Sequence, residues 1–287
     1  MKPARLRRII RGLDDLPTLP RTVLRITELI NNPKSSARDL ARVITDDQVL
    51  TARLLRLVNS SFYGFPQKIT TVTAAIVLVG FEPIRHLLLS TSIFDLFSSN
   101  HAFKGLREQL WDHSLACALG AKAIGQRILH DKVEELFVCA LLHDIGKIVA
   151  MHTLGAEYST VVAAARDEHL LLLEVETRRL PFTHAEIGGL LAEKWNLPPM
   201  VAEVIQFHHA PLDAGAFAQE AAVVHVADIF CRAAGLGSGG DSRVPWLQPA
   251  SWDMLGLSLE DIAPLMADMV AAFGEISPFT RPEAPAP

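Results

Sequence analysis

From end to end of this chain the apolar residues return every three or four positions, and no hairpin dipeptide separates alternating apolar and polar runs. That spacing stacks side chains on one face of a helix and leaves no segment with the period of two that a half-buried strand needs. The expectation is an all-α fold.

Taken in order, "LPTLPRTVLRITELINNP" predicts a Pro-started helix with Val23, Ile26, Thr27 and Ile30 on one side, stopped by Asn-Asn-Pro. Ser36, three residues before Asp39, opens the next helix in the manner of a capping box, and Leu50, Leu54, Leu57 and Val58 mark another. "VTAAIVLVGFEPIRHLLLSTSIFDLF" predicts two helices joined near Gly80 and Pro83. A polar stretch at 98–107 is the expected boundary, dividing an N-terminal helical half (1–100) from a second half (101–278). Five further helical segments follow it. "GLGSGGDSRVP" is expected to be a flexible loop, "SLEDIAPLMADMVAAF" a last amphipathic helix, and residues 279–287 a disordered tail.

With 49% hydrophobic residues in 287, the chain can bury a sizeable core. Cys117, Cys139 and Cys231 are odd in number, far apart and set in apolar helical stretches. They read as reduced core residues, which points to the cytoplasm. The basic N-terminus is followed by no apolar signal core, and every apolar run is expected to be too short to span a bilayer. The net charge of −5 conceals an asymmetry: residues 1–70 hold 13 Lys+Arg against 6 Asp+Glu.

"CALLHDIGKIVAMH" places an adjacent His143 and Asp144 in an otherwise apolar helix, with Gly146 and Lys147 just beyond. Neighbours on a helix lie about 100° apart, close enough for both to reach one ion. Glycine there costs about 1 kcal/mol relative to alanine, which suggests a turn end or a close backbone approach. Lys147, one turn on, could hold a phosphate as a point charge.

Other polar residues share this inward placement. His113 lies between Leu110 and Cys117 at helical spacing, and Asp228 shares a face with Val224 and Cys231. His184 follows Thr183, which forms a T-x-x-E capping box with Glu186. His208 and His209 end a helix before Ala210-Pro211. Each has an ordinary explanation alone, as a core, capping or dipole-favoured residue. Together they form a set that helix packing does not require, and a helical interior lined by imidazoles and carboxylates is how all-α proteins build mono- or dinuclear metal sites. Asp144 is the natural bridge.

This order of residues resembles the HD superfamily of metal-dependent phosphohydrolases, and "HDIGK" is similar to its dinuclear branch, which includes the HD-GYP phosphodiesterases. Over roughly residues 13–275 the consecutive blocks "LPTLPRTVLRITELINNP", "DQVLTARLLRLVNSSFYG", "ITTVTAAIVLVGFEPIRHLLL", "HAEIGGLLAEKWNLP" and "VHVADIF" resemble the HDOD domain proteins of bacteria. The resemblance implies an HDOD fold, an N-terminal helical half packed on an HD-like half. It also implies two metal ions, iron or manganese before zinc. His113, His143, Asp144 and Asp228 would hold one, and Asp144, His184, His208 and His209 the other. The segment "APLDAGAF" after His209 lacks Asp-Gly-x-Gly-Tyr-Pro, so the loop associated with cyclic di-GMP hydrolysis is missing.

Three functions follow in order of expectation. The first is a signal-transduction module that binds metal and a phosphorylated nucleotide ligand and acts through a protein partner or self-association. The second is an active phosphodiesterase or phosphomonoesterase, with Asp144 and Lys147 in catalytic roles. The third, least expected, is nucleic-acid binding through Arg38, Arg42, Arg53 and Arg56.

Overall fold

The computed structural model describes residues 34–59, 65–80 and 103–280, with single positions at 25, 29 and 84. Among these every regular element is helical, as the spacing predicts. The predicted Pro-started helix lies outside the described residues apart from positions 25 and 29; so does the second helix after Gly80, apart from position 84. Of the tail expected at 279–287, residues 281–287 lie outside the described residues, while 279 and 280 are helical and continue the last helix. The chain divides into a larger unit within Asn100–Val270 and a smaller one within Pro17–Ser99 and Ala271–Pro287.

In the smaller unit, α1 (Ala37–Thr45), α2 (Gln48–Val58) and α3 (Val72–Val79) are short. The expected capping box starts α1: Asp39 N donates to Ser36 Oγ at 3.3 Å and Ser36 N to Asp39 Oδ2 at 3.0 Å. Leu40, Ala41, Val43 and Ile44 form its buried stripe, leaving Arg38 and Arg42 exposed. Asn59 ties the end of α2 to the following chain, donating to Ile69 O at 2.7 Å and accepting from Ile69 N at 2.6 Å.

The larger unit holds α4 (Lys104–Ile128), α5 (Val133–Leu142), α6 (Ile145–Leu154), α7 (Ala156–Asp167), α8 (Leu172–Arg179), α9 (His184–Lys194), α10 (Pro199–Phe207), α11 (Ala218–Ala233) and α12 (Pro249–Leu255), and in it begins α13 (Ile262–Thr280). Helix α4 packs on α5 and α11, while α9 packs on α6 and α10. Small residues permit these crossings. On α4, Gly120 faces Ala227 of α11, where an added Cβ would lie 3.4 Å from the alanine methyl.

Two expectations need correction. The run His130–Leu154 is long and apolar enough to cross a membrane by length and composition, contrary to the reading that no run was. Its most apolar window is 89% buried inside the fold, so its surface is spent on core packing. The second concerns the glycine-rich segment after α11, expected to be flexible. Ser238 N donates to Gln109 O at 3.0 Å, Arg166 Nε to Gly240 O at 3.0 Å, and Leu172 N to Asp241 Oδ2 at 2.9 Å. Its glycines serve close approach: at Gly237, φ is +67° and an added Cβ would lie 2.2 Å from His113 N. The three cysteines are buried and free, as expected.

Candidate metal centre

His143 and Asp144 do not sit within one continuous helix; they form the turn between α5 and α6, His143 as the C-cap and Asp144 as the N-cap. The break aims both side chains at the same interior point. His113 comes from the middle of α4, His184 from the first turn of α9, His208 and His209 from the end of α10, and Asp228 from α11. The Thr183 box that starts α9 is formed as predicted, with Thr183 N donating to Glu186 Oε2 at 2.6 Å. It holds His184 at the first helical position.

Asp144 is the centre of the arrangement. Its Oδ2 lies 3.3 Å from both His113 Nε2 and His143 Nε2, whereas its Oδ1 lies 3.3 Å from His184 Nε2 and 3.9 Å from His208 Nε2. Asp228 Oδ1 approaches His113 Nε2 at 3.2 Å, and His184 Nε2 meets His209 Nε2 at 3.0 Å. Candidate ligand atoms within 4.8 Å of one another form three groups: His113, His143 and Asp228; His184, His208 and His209; His143, Asp144 and His208. All seven residues singled out as metal ligands are thus brought to one place.

The hydrogen bonds show which ring nitrogen is available. His143 Nδ1 donates to Ala140 O at 2.6 Å, His208 Nδ1 to Ile205 O at 2.7 Å and His184 Nδ1 to Glu176 Oε2 at 2.5 Å, while His113 Nδ1 lies 3.3 Å from Cys231 Sγ. With Nδ1 donating to an oxygen, the lone pair of the His143, His184 and His208 rings is left on Nε2, which points inward. The Nε2 atoms of His113, His143 and His208, with Asp144 Oδ1 and Asp228 Oδ1, are buried and lack a hydrogen-bond partner. Leaving so many polar atoms unsatisfied is costly, at about 1–3 kcal/mol for each group. Divalent cations satisfy this donor set, so the residues fit a metal centre.

The electrostatics favour the ligating forms. Burial opposes ionisation of Asp144, but the neighbouring His143, the Lys147 ammonium and the approach of His113 outweigh it and hold the carboxyl well below its ordinary range. Asp228 is likewise held down against burial, by His113 and then Arg232. Burial and neighbouring imidazoles push His208 and His209 well below the usual histidine value, keeping them neutral. His113 goes the other way: burial works against its charged form, yet Cys231, Asp144 and Asp228 raise it.

Two groups of residues escaped the sequence reading. Glu176 of α8 is fully buried and accepts from Tyr158 Oη at 2.6 Å, from His184 N at 3.0 Å and from His184 Nδ1. Its place one turn after Leu172, on an apolar face, was the same signal that marked Asp228. Glu176→Gln should weaken metal affinity by about 10–100-fold, because the charge that orients the His184 imidazole is lost. A manganese titration followed by calorimetry checks this, and an unchanged midpoint would show that the carboxylate serves packing alone.

The second group surrounds Lys147, which donates to Asp144 Oδ2 at 2.6 Å. A Cβ added to Gly239 would lie 3.1 Å from both Lys147 Nζ and Arg232 Nη1, so the two cations face one small space. Arg232 is held by Asp241. A cavity of about 280 Å³ opens here, lined among others by Lys147, His184, His209, Arg232, Leu171 and Trp246.

Comparison with known proteins places this geometry. An uncharacterized protein of Treponema pallidum (strain Nichols) is 31% identical over 201 residues, 69% of this chain but 38% of that protein, so this chain spans well under half of its relative. A solved HDOD domain protein of unknown function from Geobacter sulfurreducens superposes with a TM-score of 0.76 at 29% identity, over 97% of each chain. A protein of Shewanella amazonensis SB2B named as a candidate phosphohydrolase does so with a TM-score of 0.74 at 24% identity, over 95% of this chain and 98% of that one, a likeness of fold alone. The model of the HDOD domain matches residues 16–211, more than half of the sequence and most of the residues that build the centre, and the chain therefore belongs to the HDOD domain family.

Proposed function

We propose that this chain is a regulatory HDOD protein of the cytoplasm whose centre holds two divalent metal ions with a phosphorylated ligand beside them. In this reading, occupancy is passed on to a protein partner or to a second copy of the chain. The observation that carries the two-ion reading is the division of Asp144: one oxygen faces His113 and His143, the other His184 and His208. His113, His143, Asp144 and Asp228 would hold one ion, and Asp144, His184, His208 and His209 the other. The resemblance to the HD superfamily supports iron or manganese before zinc, and the imidazole and carboxylate donors are compatible with either.

Bound ions would supply Lewis-acid polarisation of a phosphoryl oxygen and a water of lowered pKa. The chain's own part is positional. Lys147 neutralises Asp144 on one side and offers positive charge to a phosphate on the other, and Arg232, fixed by Asp241, adds a second cation. Family membership supports the regulatory role, and the three reduced cysteines support the cytoplasm.

Hydrolysis is the second reading. It is favoured by the cavity, which brings solvent and ligand to His184, His209 and Lys147. Between α10 and α11 the chain makes two short 3-10 turns, Pro211–Asp213 and Gly215–Phe217, in the place where a Gly-Tyr-Pro segment would be expected for cyclic di-GMP. That substrate is not proposed.

Metal content by plasma mass spectrometry, on protein purified without chelator or added metal, tests both readings at their base. Near-stoichiometric metal in the parent and none in His143→Ala/Asp144→Ala is expected. No metal in either, even after anaerobic reconstitution with iron and manganese, would reduce these residues to polar groups in a core. A screen of phosphate esters on the loaded protein then separates regulation from turnover.

A further inference from the structure

Trp246 is 89% exposed, far more than an indole usually is, and it lines the same cavity as His184, His209, Lys147 and Arg232. It does not hang on a loose loop. Residues 243–248 are pinned at both ends: Arg232 Nε donates to Arg243 O at 2.9 Å, Gln248 Nε2 donates to His209 O at 2.8 Å, and Gln248 N reaches His225 Nε2 at 3.4 Å. One tether runs to α11 and another to the segment carrying a candidate ligand. The strap thus holds an uncovered aromatic face at the cavity, where Leu171, Leu173 and Pro245 supply further apolar lining.

A pocket that combines cations with an open aromatic face on a tethered strap suits a molecule that is anionic at one end and flat at the other. The volume of about 280 Å³ lies at the small end for ligand sites and has room for one ring system. We propose that Trp246 forms a ring-stacking subsite, and that the ligand of this centre is a phosphate monoester of a single planar ring system. The phosphate is taken by Lys147, Arg232 and the bound ions, and the ring by the indole. The proposal rests on the metal-and-phosphate reading above and deepens it by naming the ligand class.

Calorimetric binding of methylphosphonate and phenylphosphonate to the manganese-loaded protein tests it, since neither carbon–phosphorus bond is open to phosphoester hydrolysis. The expected result is that phenylphosphonate binds about tenfold tighter, as ring stacking on an aromatic side chain predicts. Trp246→Ala should erase that preference and leave methylphosphonate affinity unchanged, and Trp246→Phe should keep most of it. At 89% exposure the alanine variant loses no core packing, which circular dichroism verifies. Equal binding of the two phosphonates by the parent overturns the subsite while leaving metal and phosphate binding intact. If neither binds, the phosphate reading falls with it. A preference that survives in Trp246→Ala overturns the stacking role, and if that variant also changes oligomeric state, the indole belongs to a contact between copies.

Discussion

Replacing Gly146 by alanine is expected to be among the most damaging single-methyl additions this protein can suffer. The new Cβ would lie 1.9 Å from His184 O and 2.8 Å from Gly188 N, both backbone atoms of α9, which cannot turn aside as a flexible side chain would. Either α6 and α9 separate or the turn carrying Asp144 moves. Overpacking of this kind costs roughly 3 kcal/mol, equivalent to a fall in thermal midpoint of about 10 °C for a unit of this size. Because His184 opens α9 and Asp144 caps α6, separation also opens the 3.3 Å approach between them, so metal content should fall together with stability. Gly105→Ala is the control: it too adds a methyl inside a helix, but with nothing within 4 Å. It should be neutral or slightly stabilising. Equal melting temperatures for the two variants would show that the α6–α9 contact tolerates a side chain.

The second large effect is expected at Asp144, measured by chemical denaturation in the presence of chelator so that metal plays no part. Asp144→Asn leaves Lys147 buried at 2% exposure without the carboxylate that its Nζ meets at 2.6 Å. Removing one partner of a buried pair costs about 3–5 kcal/mol, mostly from the stranded charge. Adding Lys147→Met to the same chain should therefore recover at least half of the loss, since a neutral side chain of similar length needs no counter-charge. If the double variant is no more stable than Asp144→Asn, the cost lies in the imidazoles facing Asp144 and not in the pair. The two experiments separate the roles of the stretch "HDIGK": glycine for the approach of helices, aspartate for charge.

Much of this is legible in the amino-acid sequence, for reasons that are local. Helical spacing, the Ser36 and Thr183 capping boxes, and the inward positions of His113 and Asp228 are all set within about one turn of the residues concerned. Ligand types are equally local, since imidazole and carboxylate on an apolar face are costly wherever the chain goes. These features named all seven candidate ligands of the centre.

What the sequence by itself determined, then, was the helical class and the identity of the side chains that meet in the core. Only the tertiary structure decided how they are oriented. The assignment of Asp144 oxygens to two histidine groups, the Nδ1 partners that free each Nε2, and the role of Glu176 depend on atoms brought together from distant helices. The same holds for the segment expected to be flexible: its glycines looked like freedom, but contacts with Gln109, Arg166 and Leu172 turn them into close approach. The physical reason is range. Periodicity and capping act over a few residues, whereas the direction of a lone pair and the order of a glycine-rich loop are set by partners tens of residues away.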